Sequence, residues 1–67
     1  MNIDDVVLYK PEGIDGPAYP AIVVEVHGPD CLTIRVPSLS DEVIQHLNYF
    51  EDETRLPSKA RHAARVV

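Results

Sequence analysis

Two side chains that can bind metal or act as a nucleophile flank a predicted tight turn. His27 and Cys31 lie on either side of Gly28-Pro29-Asp30, and imidazole and thiolate serve both as zinc ligands and as a base–nucleophile pair. A metal site needs further ligands, for which the sequence offers only Asp30 or His46, without a recognisable spacing. An activated thiol needs an electropositive environment, whereas most of the chain is acidic. We therefore expect two half-exposed side chains on an outward face, and no catalytic residue, metal site or cofactor.

Two acidic runs are the next candidates, because carboxylates bind hard cations. Asp4-Asp5 precedes the first predicted strand, and Glu51-Asp52-Glu53 follows a later one. Neither run has the spacing of a calcium-binding loop, and no glycine interrupts them. Charge that keeps the ends of strands solvated is the interpretation we adopt.

Aromatic side chains bracket the first predicted loop. Tyr9 and Tyr19 stand at its two ends, where two rings can line a shallow groove for a peptide or form a floor for a stacked base. The alternative, which we favour, is that they cover a small core. Tyr9 and Tyr19 are the candidate aromatic contacts of a ligand or partner.

Three arginines are candidates for binding an anion. Arg35 is predicted on the outward face of a central hairpin, opposite Val23, where its planar guanidinium can hold a phosphate or carboxylate or pair with Glu25 or another acid. Arg61 and Arg65 are four residues apart and share a face in either a helix or a strand. They form a basic strip suited to an acidic partner surface or a small anionic ligand.

The charge is divided unevenly along the chain. Residues 1–54 contain all 11 acidic side chains and only Lys10 and Arg35 as basic ones, which gives a net charge of −9, whereas residues 55–67 contain four basic side chains and no acid. An acidic body repels phosphates, which argues against nucleic-acid polymers as partners. The basic C-terminal segment (55–67) can attract an acidic partner or the body of another copy.

A chain of 67 residues forms one domain that is only marginally stable alone. The single cysteine excludes an internal disulfide, so association is the remaining way to stabilise the domain. We expect a homo-oligomer whose contact includes Val7 and Val23 on a partly apolar outward face. No apolar run is long enough to cross a bilayer and no signal peptide is recognised, so a cytoplasmic location, without membrane contact, is expected.

A β-hairpin between Pro20 and Pro37 is the clearest element. Alternation of β-branched residues predicts strands over Ala21–Val26 and Leu32–Val36. With residue 27 facing residue 31, one apolar face would be formed by the pairs Val26–Leu32, Val24–Ile34 and Ile22–Val36.

The remaining segments complete a small all-β domain. A strand is predicted at Val6–Tyr9, a long Gly/Pro-rich loop over residues 10–20, one helical turn through Asp41–Gln45, a fourth strand within Ile44–Phe50, and a short closing strand at 64–67. A small five-stranded SH3-like barrel with a long first loop fits this order. The alternative is an open antiparallel sheet with a C-terminal helix. Residues 1–67 are expected to form this single domain.

The arrangement resembles that of small bacteriophage and prophage proteins with SH3-like barrels, mostly of unknown function. The resemblance covers roughly residues 6–53 and rests on Val7-Leu8-Tyr9, Ala21-Ile22-Val23-Val24-Glu25-Val26, Leu32-Thr33-Ile34-Arg35-Val36 and Tyr49-Phe50-Glu51-Asp52-Glu53. Those proteins often end in a strand similar to Trp-His-Trp-Pro, whereas this chain has Arg61-His62-Ala63-Ala64-Arg65 and no tryptophan. The resemblance implies a phage-type accessory protein, located in the host cytosol if phage-encoded, and it carries over no catalytic residue.

Two functions are compatible with this reading. The first is a non-enzymatic module for protein–protein contact, acting as a homo-oligomer, either as a virion component or as an inhibitor of a host protein, including a host-defence protein. The second is a counter-defence protein that sequesters a small anionic nucleotide between subunits, with Arg35, the C-terminal arginines and tyrosines lining the pocket. An enzyme is not expected, because no nucleophile or acid–base pair has a plausible activator.

Overall fold

The computed structural model describes residues 1–53, 56 and 59–66, and over these it is a closed barrel of five strands. The strands are β1 (Val6–Lys10), β2 (Tyr19–Gly28), β3 (Cys31–Val36), β4 (Glu42–Phe50) and β5 (His62–Ala64), with a 3₁₀ turn at Pro37–Leu39. The predicted all-β class is confirmed, and the closed barrel is consistent with an SH3-like fold. Within the described residues, no helix is long and apolar enough to cross a membrane.

Strands β1 to β4 form an antiparallel meander, and β5 closes it. β5 pairs with β1 in antiparallel orientation and with β4 in parallel orientation, so a strand of three residues joins the two edges of the sheet. The closed arrangement leaves no long unpaired edge.

The core is formed by one face of each strand. Pairing across the sheet places Val7 opposite Ala21 and Val23 opposite Ile34, and all four of these side chains are buried. The other members of the core cluster are Tyr9, Leu32, Val36, Ile44, Leu47, Tyr49 and Ala63. Leu32, Ile34 and Val36 therefore point inward, as the alternation in β3 predicts.

The predicted inward face of β2 is wrong. Val26 pairs with Leu32 as expected, but Ile34 pairs with Val23 rather than Val24, because Val24 is an extra residue in a β-bulge. A one-residue shift turns every side chain beyond it to the opposite face. Ala21 to Val24 are all apolar, so their alternation alone does not identify the buried phase.

This shift also overturns the predicted oligomer contact. Val7 and Val23 lie inside the barrel, with exposed fractions of 1% and 0%, so neither provides an outward apolar surface. Arg35 lies opposite Ile22, not Val23. Val26, predicted to be buried, is 41% exposed.

The predicted helical turn through Asp41–Gln45 is absent, and β4 begins at Glu42. Ser40 and Asp41 both have a φ of 56°, and two consecutive left-handed residues reverse the chain instead of starting a helix. β2 has a further register shift between Val26 and Gly28, so that Gly28 rather than His27 pairs with Cys31. Within β4, another irregularity lies opposite Thr33, where His46 has a φ of 53°.

The C-terminal segment contains a closing strand, as predicted, but its position differs. β5 covers His62–Ala64, whereas residues 64–67 were the expected range. Small side chains explain the shift, because Ala63 lies fully buried between Tyr9 and Tyr49 in the pairing register. Arg55 of the basic segment and Val67 of the predicted strand lie outside the described residues.

Candidate functional site

A groove of about 410 Å³ opens where β5 ends. Its lining combines apolar and charged side chains from three parts of the chain, namely the N-terminus with β1, the end of β4, and the residues after β5. These side chains are Met1, Asp5, Val6, Val7, Tyr49, Glu51, Arg65 and Val66. The last residue of β5 that pairs with its neighbours is Ala64, which lies opposite Leu8 in β1 and Phe50 in β4. β4 ends at Phe50, whereas β1 extends beyond the pair with Ala64 to Val7 and Val6, and these two residues line the groove.

Exposed apolar side chains concentrate around this groove. Val6, Val66 and Met1 are 56%, 44% and 43% exposed, and all three line it. Val6 stands on the outward face of β1 because its neighbour Val7 points into the core. Exposed apolar side chains that cluster, in contrast to scattered ones, are characteristic of a contact surface.

The groove also contains charges of both signs. Glu51 directly follows Phe50, and Arg65 directly follows Ala64, so the two residues continue from the last parallel pair of β4 and β5. With the described part of the chain, neither side chain forms a hydrogen bond or an ion pair. The carboxylate of Asp5, by contrast, accepts a hydrogen bond of 2.8 Å from the backbone N–H of Asn2.

Tyr49 lines the groove, and the charges of Glu51 and Arg65 both affect the pKa of its phenol. Burial raises the pKa of its phenol above the ordinary 10.0, the nearby carboxylate of Glu51 raises it further, and the Arg65 guanidinium opposes this. The phenol therefore stays neutral at physiological pH. The groove is thus lined by a buried, uncharged tyrosine together with the carboxylate of Glu51 and the guanidinium of Arg65.

An adjoining groove of about 490 Å³ shares Glu51, Arg65 and Val66 and extends to Glu53. There the Glu53 carboxylate accepts hydrogen bonds of 2.8 and 3.0 Å from Lys10 Nζ and a hydrogen bond of 2.6 Å from His62 Nε2. The other ring nitrogen of His62 lies 2.7 Å from the carbonyl oxygen of Ala60. We call Lys10, Glu53 and His62 the clasp, because they connect β1, the segment after β4, and β5.

The clasp is structural in character. His62 is fully buried, with the Phe50 ring edge-on at a centroid distance of 6.2 Å. The hydrogen bond from Lys10 is the main cause that lowers the pKa of Glu53 below its ordinary 4.5; burial opposes it, and the hydrogen bond from His62 adds to it. The carboxylate is thus held ionised with its partners in place, and no described nucleophile lies beside it.

A second polar cluster surrounds the hairpin turn. His46 is the residue that the fold brings to Cys31, with 4.0 Å between Sγ and Nδ1, and the rings of His27 and His46 stack at 4.2 Å. His27 Nε2 is 2.6 Å from the hydroxyl oxygen of the buried Thr33. Over the described residues, no three His, Cys, Asp or Glu side chains are arranged to hold a metal ion.

The structure separates the predicted binding residues. Tyr9 is 4% exposed and belongs to the core, so it does not line a surface groove, and the half-buried Tyr19 packs against that core. Arg35 donates a hydrogen bond of 2.9 Å to Asp41, which is the pairing with an acid that the sequence left open. Arg61 is exposed before β5 and lines neither groove. Of the five, only Arg65 lies in the candidate site.

Several residues of the two grooves were not predicted. Val66 and Val6 looked like ordinary strand positions, and their exposure follows from the place where β5 stops. Glu53 and His62 are nine residues apart with no spacing pattern that marks them. The one signal in the sequence that pointed to this site is the basic strip to which Arg65 belongs.

Comparison with protein-family models, with curated proteins and with solved structures finds no match for this chain. The candidate site therefore has to be interpreted from its own geometry and charge.

Proposed function

We propose that this protein is a non-enzymatic protein-interaction module that works as a homo-oligomer, of the phage accessory type, as a virion component or as an inhibitor of a host protein. The observation that carries the proposal is the groove at the end of β5. It combines exposed valines, a buried tyrosine and unpaired charges of both signs, a composition typical of protein contact surfaces. The phage-type assignment rests on the resemblance over residues 6–53.

The chemistry of the described residues supports binding rather than catalysis. The clasp uses its carboxylate, lysine and histidine on one another, and the turn cluster stacks its imidazoles. The clasp contains no nucleophile, and the Cys31 thiol lies at the hairpin turn, 4.0 Å from His46 Nδ1, outside the two grooves described here. The groove itself presents exposed apolar side chains and charges, which are the features by which one protein binds another.

A second candidate, sequestration of a small anionic nucleotide, has one observation in its favour. The Arg65 guanidinium is unpaired among the described residues and lines the groove, and a free guanidinium can hold a phosphate. Asp5 and Glu51 in the same groove would repel the phosphate. We therefore rank this function second.

Site-specific photo-crosslinking tests the proposal. A photoreactive residue at position 66 is compared with one at position 43, because Val43 is also an exposed valine, 51% accessible, but lies outside the groove. In cells that express the chain, we expect a defined protein adduct, identified by mass spectrometry, from position 66 and little from position 43. Equal labelling from both positions, or no protein adduct from position 66, would contradict the proposal.

Ligand-dependent melting tests the second candidate. A nucleotide that binds the groove would raise the melting temperature of the wild type. The rise would disappear in Arg65→Gln and persist in Arg35→Gln, whose arginine is engaged with Asp41. A panel of cyclic and linear nucleotides without effect would remove this candidate and leave the interaction module unaffected.

A further inference from the structure

We infer that the occupant of the groove is a second copy of this chain, related by a two-fold axis that passes through the exposed valines. This inference rests on the proposed function and specifies its partner. The groove brings exposed apolar side chains and unpaired charges of both signs together, and that combination can be complementary to itself.

Self-complementarity is the requirement of a two-fold interface, in which the same patch serves both subunits. Arg65 and Glu51 lie on neighbouring strand extensions and in the same groove, yet they do not pair within one chain. A two-fold rotation about the apolar side chains puts Arg65 of each copy against Glu51 of the other. Each charge then gains the partner that it lacks among the described residues of the single chain, and two such ion pairs form per dimer.

The apolar side chains of the patch supply the hydrophobic contact. Val6, Val66 and Met1 line the groove, and Ile3 is 60% exposed shortly before β1. A standard interface takes about 800 Å² from each partner, which is about a fifth of the 4293 Å² surface of this chain. Burial of exposed valines against their symmetry mates provides the favourable hydrophobic term, and the two ion pairs fix the orientation.

The size of the domain gives a reason for pairing. A chain of 67 residues buries only about 60% of its unfolded surface on folding. The core of this barrel is small, and the strand that closes it has three residues. A second copy seated at the end of β5 covers the place where the closing strand stops.

A charge-swap experiment tests the two-fold arrangement. Sedimentation velocity and native mass spectrometry are applied to the full chain at about 1 to 100 µM, a range that resolves micromolar dissociation constants. We expect a dimer for the wild type. Arg65→Glu and Glu51→Arg should each weaken dimerisation by about tenfold or more, because each places like charges opposite each other twice.

The decisive sample is an equimolar mixture of the two single variants. In a two-fold dimer, every facing pair in the mixed dimer is again of opposite sign, so a heterodimer with the sum of the two variant masses should form. Arg61→Glu, which changes an exposed arginine outside the grooves, is the matched control and should leave the wild-type dimer intact. Far-ultraviolet circular dichroism checks that each variant folds.

A monomeric wild type over the whole concentration range would overturn the inference, and so would a mixture in which the heterodimer does not recover. A position-66 crosslink to another protein, with no adduct to a second copy, would also overturn it. That result would leave the interaction module standing, whereas a monomeric wild type would also remove the homo-oligomer from the proposed function, so the crosslink is the outcome that separates the two proposals.

Discussion

At the scale of single residues, the clasp shows how one carboxylate connects distant parts of the chain. Glu53 receives hydrogen bonds from Lys10 on one side and from the buried His62 on the other. Hydrogen bonds to ionised groups are stronger than those between neutral groups. The third member of an acidic run that looked like solvated surface charge therefore contributes to stability.

The lowered pKa of Glu53 predicts an acid-sensitive stability. Its pKa is near 4.5 when unfolded and lower when folded, so the stabilisation is fully present above the unfolded pKa and is lost as pH falls through the folded pKa. We expect the wild type to exceed Glu53→Gln in free energy of unfolding at neutral pH, and the difference to shrink in acid. Urea unfolding measured from pH 7 downward gives the comparison.

The matched control for this prediction is Asp15→Asn, an exposed acid in the first loop. Its stability difference from the wild type should change little over the same pH range. If the difference in free energy of unfolding between wild type and Glu53→Gln stays constant with pH, the ionised form of Glu53 does not stabilise the fold.

At the scale of elements, the bulge in β2 decides which valines form the core. Val23 is fully buried, whereas Val24, the extra residue, is only partly buried. Both are flanked by apolar residues, so their chemical context in the sequence is nearly the same. The bulge, rather than the alternation, distinguishes them.

Isosteric substitutions measure this distinction. Val23→Thr places a hydroxyl in the core without a partner, and we expect it to lower the free energy of unfolding by about 1–3 kcal/mol. Val24→Thr, at a partly exposed position, should cost less than about 1 kcal/mol. Chemical denaturation measures the loss of stability in both variants. A larger loss for Val24→Thr than for Val23→Thr would mean that β2 pairs with β3 in a register without the bulge.

At the scale of the whole molecule, closure of the barrel depends on its shortest strand. β5 has three residues, whereas β2 and β4 have 10 and nine. Its two backbone ladders and the clasp are the described contacts that hold it between β1 and β4. A short closing element of this kind is expected to open before the rest of the fold.

Hydrogen exchange tests this order of opening. We expect the amides of His62–Ala64 to exchange through a lower-energy opening than those of the β2–β3 hairpin, measured residue by residue by nuclear magnetic resonance under native conditions. Measurements at several protein concentrations separate the single chain from an associated form. Equal protection of β5 and the hairpin at low concentration would show that closure and folding are one cooperative step.

The sequence by itself determined the class of fold and most of its strands. Period-two alternation and the proline and glycine positions were sufficient for β1, the hairpin, β4 and a closing strand, because these signals depend on near neighbours. The buried phase of β3 was predictable for the same reason, since Leu32, Ile34 and Val36 alternate with Thr33 and Arg35. The resulting five-stranded barrel is what the structure has.

Only the tertiary structure decided the register of β2, the end of β5 and the candidate site. Ala21, Ile22, Val23 and Val24 are all apolar, so the sequence contains no contrast that marks the bulge. The groove lies where β5 stops at Ala64 and leaves Val6 and Val7 of β1 without a partner in β5, and it brings together residues from both ends of the chain. Such sites depend on pairings between distant segments, and local patterns contain no information about those pairings.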